Sequence, residues 1–128
     1  MPDNNSTVQD GPLTIRLVDE GRRLRLALQG EIDLSNAKTA EAQLMGAFES
    51  GKKILVDLGK LEFLDSTGIA LLVMALRRPD AARLSFLPSE TAGVRRLLNL
   101  TGLDAKLPFA APEQSRPATG SQNLLPTA

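Results

Sequence analysis

The chain has 128 residues, 15 of them Lys or Arg and 15 Asp or Glu, so its formal net charge is zero, and 42% of it is hydrophobic. That length and apolar share suit one domain with a real core, and the scattered, balanced charge offers no basic surface for direct contact with nucleic acid. Cys, His, Trp and Tyr are all absent, which excludes disulfides and thiolate zinc sites, a Ser-His-Asp nucleophile, and base stacking on any ring other than Phe.

Residues 1–11 are polar, close on Gly11-Pro12 and read as a disordered leader. Met1-Pro2-Asp3-Asn4-Asn5-Ser6 is the opposite of a signal peptide, and no run reaches the roughly 18 apolar residues of a membrane span, so a cytoplasmic protein without a membrane partner is expected. Leu13–Val18 alternates apolar and polar, the period of a half-buried strand. Asp19-Glu20-Gly21 is a turn, and Arg23–Gln29 alternates again, completing a hairpin.

Gly30-Glu31-Ile32-Asp33-Leu34-Ser35-Asn36-Ala37 leaves the strand and enters a helix, with Asp33 or Ser35 as its cap. Ala37, Ala40, Leu44, Ala47 and Phe48 recur at three- and four-residue steps on one helical face, and Ser50-Gly51 ends it. Lys53–Leu58 is short, partly β-branched and bounded by glycines, as an interior strand would be.

The most informative stretch follows. Asp65-Ser66-Thr67-Gly68 precedes Ile69–Leu76, an apolar run with no polar face, which predicts a helix buried on most sides. Asp, Ser and Thr oxygens accept from the orphan N–H groups of a helix start, and Gly68 has no Cβ to keep a neighbour at a distance. Such a stretch also suits any well-capped core helix. Arg77-Arg78-Pro79 ends it. Arg83–Leu87 predicts another strand. Ser89 caps a last helix with Val94, Leu97 and Leu98 inward and Arg95 and Arg96 outward, Leu103 returns to the core, and Lys106–Phe109 predicts a short edge strand.

Strands alternating with helices imply crossover connections. The expected fold is α/β: a mixed sheet of four to five strands, parallel at its centre, packed against about three helices, over residues 12–110. Residues 111–128 lack periodicity and are expected to be a disordered tail.

Three patches on these elements carry a resemblance. Gly30-Glu31-Ile32-Asp33 before the first helix, Asp65-Ser66-Thr67-Gly68 before the second and Thr101-Gly102-Leu103 after the third resemble the STAS domain, and more narrowly the bacterial anti-sigma factor antagonists. The resemblance covers about Leu13 to Phe109. It implies a protein that, unphosphorylated, binds an anti-sigma factor serine kinase of the ATPase type and so frees a sigma factor. It implies phosphorylation on Ser66, reversal by a PP2C-type phosphatase, and a phosphorylation loop and partner surface including Asp33, Asp65, Thr67 and Gly68. Where many relatives have a second glycine two positions after Gly68, this chain has Ala70.

No catalytic residue, metal or cofactor is expected. An enzyme using Ser66 as nucleophile would need a base, and Lys38, Lys52, Lys53 and Lys60 sit on ordinary solvated faces. The rival roles are a STAS scaffold or stressosome-like module and a small-molecule-binding STAS domain.

Overall fold

The structure, a computed structural model, describes residues 5–111. Its strands and helices are β1 (Ser6–Asp10), β2 (Leu13–Asp19), β3 (Arg23–Ile32), α1 (Ala37–Glu49), β4 (Lys53–Asp57), β5 (Leu61–Leu64), α2 (Ser66–Leu76), β6 (Leu84–Leu87) and α3 (Ala92–Leu100), with single 3₁₀ turns at Ala81–Arg83 and Leu103–Ala105.

β3 is the hub. β2 pairs with it antiparallel from Leu13↔Gly30 to Asp19↔Leu24. β4 runs parallel to its first half, from Arg23↔Lys53 to Ala27↔Asp57. β5 runs parallel to its end, with Gly30 opposite Leu61 and Ile32 opposite Leu64, across an irregularity at Gly30/Glu31. β6 continues the parallel centre beside β4. The alternation seen in the sequence sorts the faces: Leu24, Leu26 and Leu28 of β3 and Ile54 and Val56 of β4 join the main core, together with Ala40, Leu44, Ala47 and Phe48 of α1. The mixed sheet with a parallel centre and three helices is as expected from the sequence, with six strands instead of four or five.

Several expectations are corrected. The segment read as a disordered leader contains β1, which pairs with β2 from Ser6↔Leu17 to Asp10↔Leu13. Its sequence, Ser-Thr-Val-Gln-Asp, hides it: only Val8 packs on the core, so this edge strand is held chiefly by its backbone ladder. β5 had no strand signature because Leu61 and Leu64 are buried while Glu62 and Phe63 are exposed, a spacing without the two-residue period. The edge strand expected over Lys106–Phe109 is reduced to a bridge between Phe86 and Phe109. The expected tail lies outside the described residues, apart from Ala111.

Gly30 explains why the hairpin and β5 meet where they do. Its φ is +95°, and a Cβ there would lie 2.1 Å from the Pro12 carbonyl oxygen. The backbone around it is fully engaged: Gly30 N–H donates to Lys60 O at 3.0 Å and Glu31 N–H to Pro12 O at 3.1 Å. No side chain fits this crossing.

α2 is less enclosed than its composition suggests. Gly68, Leu71, Leu72 and Ala75 are buried, but Ile69, Val73 and Met74 are only half-buried and Ala70 is exposed. One face is fully buried, while Ile69, Val73 and Met74 pack against the core only in part and leave apolar surface exposed. Leu72 belongs to the buried face, with 3% of its surface exposed. Leu72→Ala should therefore cost about 2–5 kcal/mol; a urea titration losing less than about 1 kcal/mol would place this side chain outside the core.

Candidate functional site

The site is built where the end of β3 meets the start of α2. Asp65 N–H donates to Ile32 O at 3.2 Å, which fixes the helix start against the strand end. Asp65 has extended backbone and is the N-cap: its side chain accepts from Thr67 N–H at 2.9 Å and Gly68 N–H at 3.3 Å. The Thr67 hydroxyl donates to the same carboxylate oxygen. That hydroxyl is the main reason the Asp65 carboxyl lies below its ordinary value of 3.8; partial burial opposes it, and the N–H groups of Gly68, Thr67 and Leu34 add to the lowering. Hydrogen bonds to the charged form favour that form.

Ser66 is the first helical residue and is exposed. No side-chain hydrogen bond of Ser66 occurs among the described residues, so the two hydroxyls of the motif are not equivalent: Thr67 holds the cap together and Ser66 stands free of it.

Gly68 has an internal role. A Cβ there would lie 2.8 Å from Leu64 Cβ and 3.3 Å from Ile32 Cγ2, so the close approach it permits is that of its own chain, not of a partner. It belongs to the loop by position but is buried beneath it.

Asp33 is half-buried in the neighbouring loop. It accepts from Ser35 N–H at 2.9 Å and from the Ser35 hydroxyl. It does not cap α1 with its side chain, and neither does Ser35: the N-cap position is Asn36. Asn36 is fully buried; its Oδ1 accepts from Asp33 N–H at 3.0 Å and its Nδ2 donates to Glu31 O at 3.0 Å. Here a helix boundary is tied back to the strand that precedes it. In the same way Ser89 is not the cap of α3, a position taken by Thr91; the Ser89 hydroxyl donates to Leu61 O at 2.8 Å and accepts from Thr91 N–H at 3.0 Å.

Sequence reasoning missed Leu34 and Asn36. Leu34 is 77% exposed and, with Ser35, Lys38, Thr67, Ala70 and Met74, lines a groove of about 480 Å³ between α1 and α2. A lone leucine between two polar loop residues was the available signal. Thr67, the residue after Ser66, lines this surface, which is apolar in the middle and carries Lys38 and Glu41 on its α1 side. Among the described residues no group of three or more acidic side chains could hold a metal ion, and no helix is long and apolar enough to cross a membrane.

Two variants check this geometry. Gly68→Ala should destabilise the domain by about 1–3 kcal/mol through overpacking against Leu64 and Ile32, measured by urea titration; an unchanged midpoint would show that these neighbours yield freely. Asp65 has a lowered folded pKa, so its stabilising charge is fully present above the unfolded value and is lost as the pH falls through the folded one. Asp65→Asn should therefore melt below wild type at neutral pH, with the gap closing on acidification below the ordinary carboxylate value of 3.8. Thermal melts of both proteins across that range check it; a gap independent of pH would mean that the charge contributes nothing.

Comparison with known proteins agrees with this architecture. The family model described as "Mlab, STAS domain" matches residues 15–108. An anti-sigma factor antagonist from Mycobacterium paratuberculosis is similar in structure, with 22% identity and a TM-score of 0.67 over 90% of this chain and 93% of that one. The anti-sigma factor antagonist SpoIIAA in its unphosphorylated form aligns at 22% identity and a TM-score of 0.63, over 79% of this chain and 91% of its own. The phosphorylated form of the Bacillus protein SpoIIAA aligns at 22% identity and a TM-score of 0.56, over 79% and 95%. At this identity the structural likeness speaks for the fold, while the family match spans most of the chain: the protein belongs to the STAS domain family.

Proposed function

We propose that the chain is an anti-sigma factor antagonist whose binding is switched by phosphorylation of Ser66. In this reading the unphosphorylated protein binds an anti-sigma factor serine kinase of the ATPase type and displaces a sigma factor, and a PP2C-type phosphatase restores that state. The observation that carries the choice of residue is the division of labour at the cap. Thr67 is held by the Asp65 carboxylate, while Ser66 is exposed beside it, so a kinase reaches Ser66 without dismantling the helix start.

The physics of the switch follows from the same cap. Phosphorylation adds roughly −1.5 to −2 charges and three acceptor oxygens. A helix N-terminus ordinarily welcomes such a group, but here the Thr67 and Gly68 N–H groups already serve Asp65. A phosphate on Ser66 is repelled by that carboxylate and left at the surface, next to Leu34 and the α1–α2 groove. The fold is preserved and the partner meets a concentrated negative charge where it had met a hydroxyl and apolar side chains. A loss of about 1.4 kcal/mol already weakens binding tenfold, and repulsion with desolvation at an interface reaches that range.

Phosphate incorporation tests this reading. A pull-down with unphosphorylated protein should recover the kinase, and incubation with that kinase and ATP should add one phosphate, found on Ser66 by tryptic mass spectrometry. Ser66→Ala should fold and bind persistently, and Ser66→Asp should fold and bind at least tenfold more weakly, which corresponds to about 1.4 kcal/mol. Calorimetric titration checks both. Phosphate only on Thr67 overturns the assignment, and equal binding of wild type, Ser66→Asp and the phosphorylated protein overturns the switch.

A further inference from the structure

A second apolar groove, of about 290 Å³, lies between β5 and α3. It shares no lining residue with the α1–α2 groove beside Ser66. Phe63 and Leu100 border it, 49% and 74% exposed, two of the four large apolar side chains that stand out from the described surface. Gly93, Leu97 and Leu100 recur along α3 at steps of four and three, a stripe on one helical face. Val94 and Leu98 are the buried side of the same helix.

Two features say what covers this face. The first is charge. Glu62 and Arg96 both line the groove, both are exposed, and neither has a salt bridge or side-chain hydrogen bond among the described residues. The face therefore offers one acidic and one basic group around an apolar middle. In a two-fold contact residue i of one copy meets j of the other and j meets i, so this pattern is complementary to itself. The second is Gly93. A Cβ there would have nothing within 4 Å, so no packing inside the chain calls for a glycine in this helix, where glycine costs backbone entropy relative to alanine. The open space over Gly93 leaves room for a second copy to lie close along α3.

We propose that this face is the contact between two copies of the chain, an isologous dimer in which Phe63 and Leu100 of each copy enter the groove of the other and Glu62 of each faces Arg96 of the other. The apolar middle is small for a permanent interface, which sets the expectation of a reversible, concentration-dependent dimer.

The test uses the full chain and sedimentation velocity over a wide concentration range. Wild type should pass from monomer to dimer. Glu62→Arg and Arg96→Glu should each shift the equilibrium by at least tenfold toward monomer, because each sets like charges face to face twice. An equimolar mixture of the two variants should recover the dimer, since each then supplies the sign that the other lacks. Leu100→Ser should also weaken it, while Ser66→Asp should leave it unchanged. Both charged positions are exposed, and circular dichroism checks that the variants fold. Wild type that stays monomeric at every concentration overturns the proposal, as does a dimer indifferent to both charge variants or a mixture that remains monomeric.

Discussion

The Asp65 carboxylate is the interaction on which the site depends. It receives the Thr67 N–H, the Gly68 N–H and the Thr67 hydroxyl, while the Asp65 backbone is anchored to the last residue of β3 through Ile32 O. One residue thus closes the first turn of α2 and fastens it to the sheet. The lowered pKa of Asp65 is the electrostatic sign of the same arrangement. Asp65 and Thr67 satisfy the helix start between them, and the exposed Ser66 side chain makes no hydrogen bond among the described residues. A residue with no structural duty at an exposed helix start can accept a modification without unfolding the protein around it.

A second constraint gives that junction its place. β3 carries β4 along its first half and β5 along its end, and the crossover between these registers occurs at Gly30, against the Pro12 carbonyl. The N-terminal hairpin, the turn before β5 and the loop into α1 therefore converge at one end of the sheet. Asn36 completes this convergence by tying the start of α1 back to Glu31 O. Leu34 stands out beside Asp65, between Asp33, which accepts from the Ser35 hydroxyl, and the exposed Ser35, while Asn36 turns to the strand. Its N–H contributes to stabilising the Asp65 charge.

Two of the apolar surfaces among the described residues bear on these proposals. The one between α1 and α2 includes Thr67, the residue after Ser66, and carries Lys38 and Glu41 on α1. Helix α2 buries Leu71, Leu72 and Ala75, while Ala70 is exposed and Val73 and Met74 are half-buried. The one between β5 and α3 likewise carries one acid and one base, Glu62 and Arg96. Under the proposed phosphorylation of Ser66 the charge beside the first surface changes, whereas that of the second is set by Glu62 and Arg96.

The long periodic elements were legible in the sequence. Alternation over Leu13–Val18 and Arg23–Gln29, the apolar steps of α1 and the unbroken run of α2 each report a face that must be removed from water, and that requirement is written in residue order. The helix start at Asp65 was legible for the same local reason, since its donors lie two and three residues away. What tertiary structure alone decided was everything that depends on distant partners. β1 exists because its backbone finds β2, though its side chains are polar. β5 exists because β3 has an open edge beside it, though its burial has no period. Asn36 and Ser89 bond to the backbone of Glu31 and Leu61, and no sequence window announces such partners. Gly68 was visible as a residue without a Cβ, but whether a partner or its own chain filled that space was decided by where Leu64 and Ile32 came to lie.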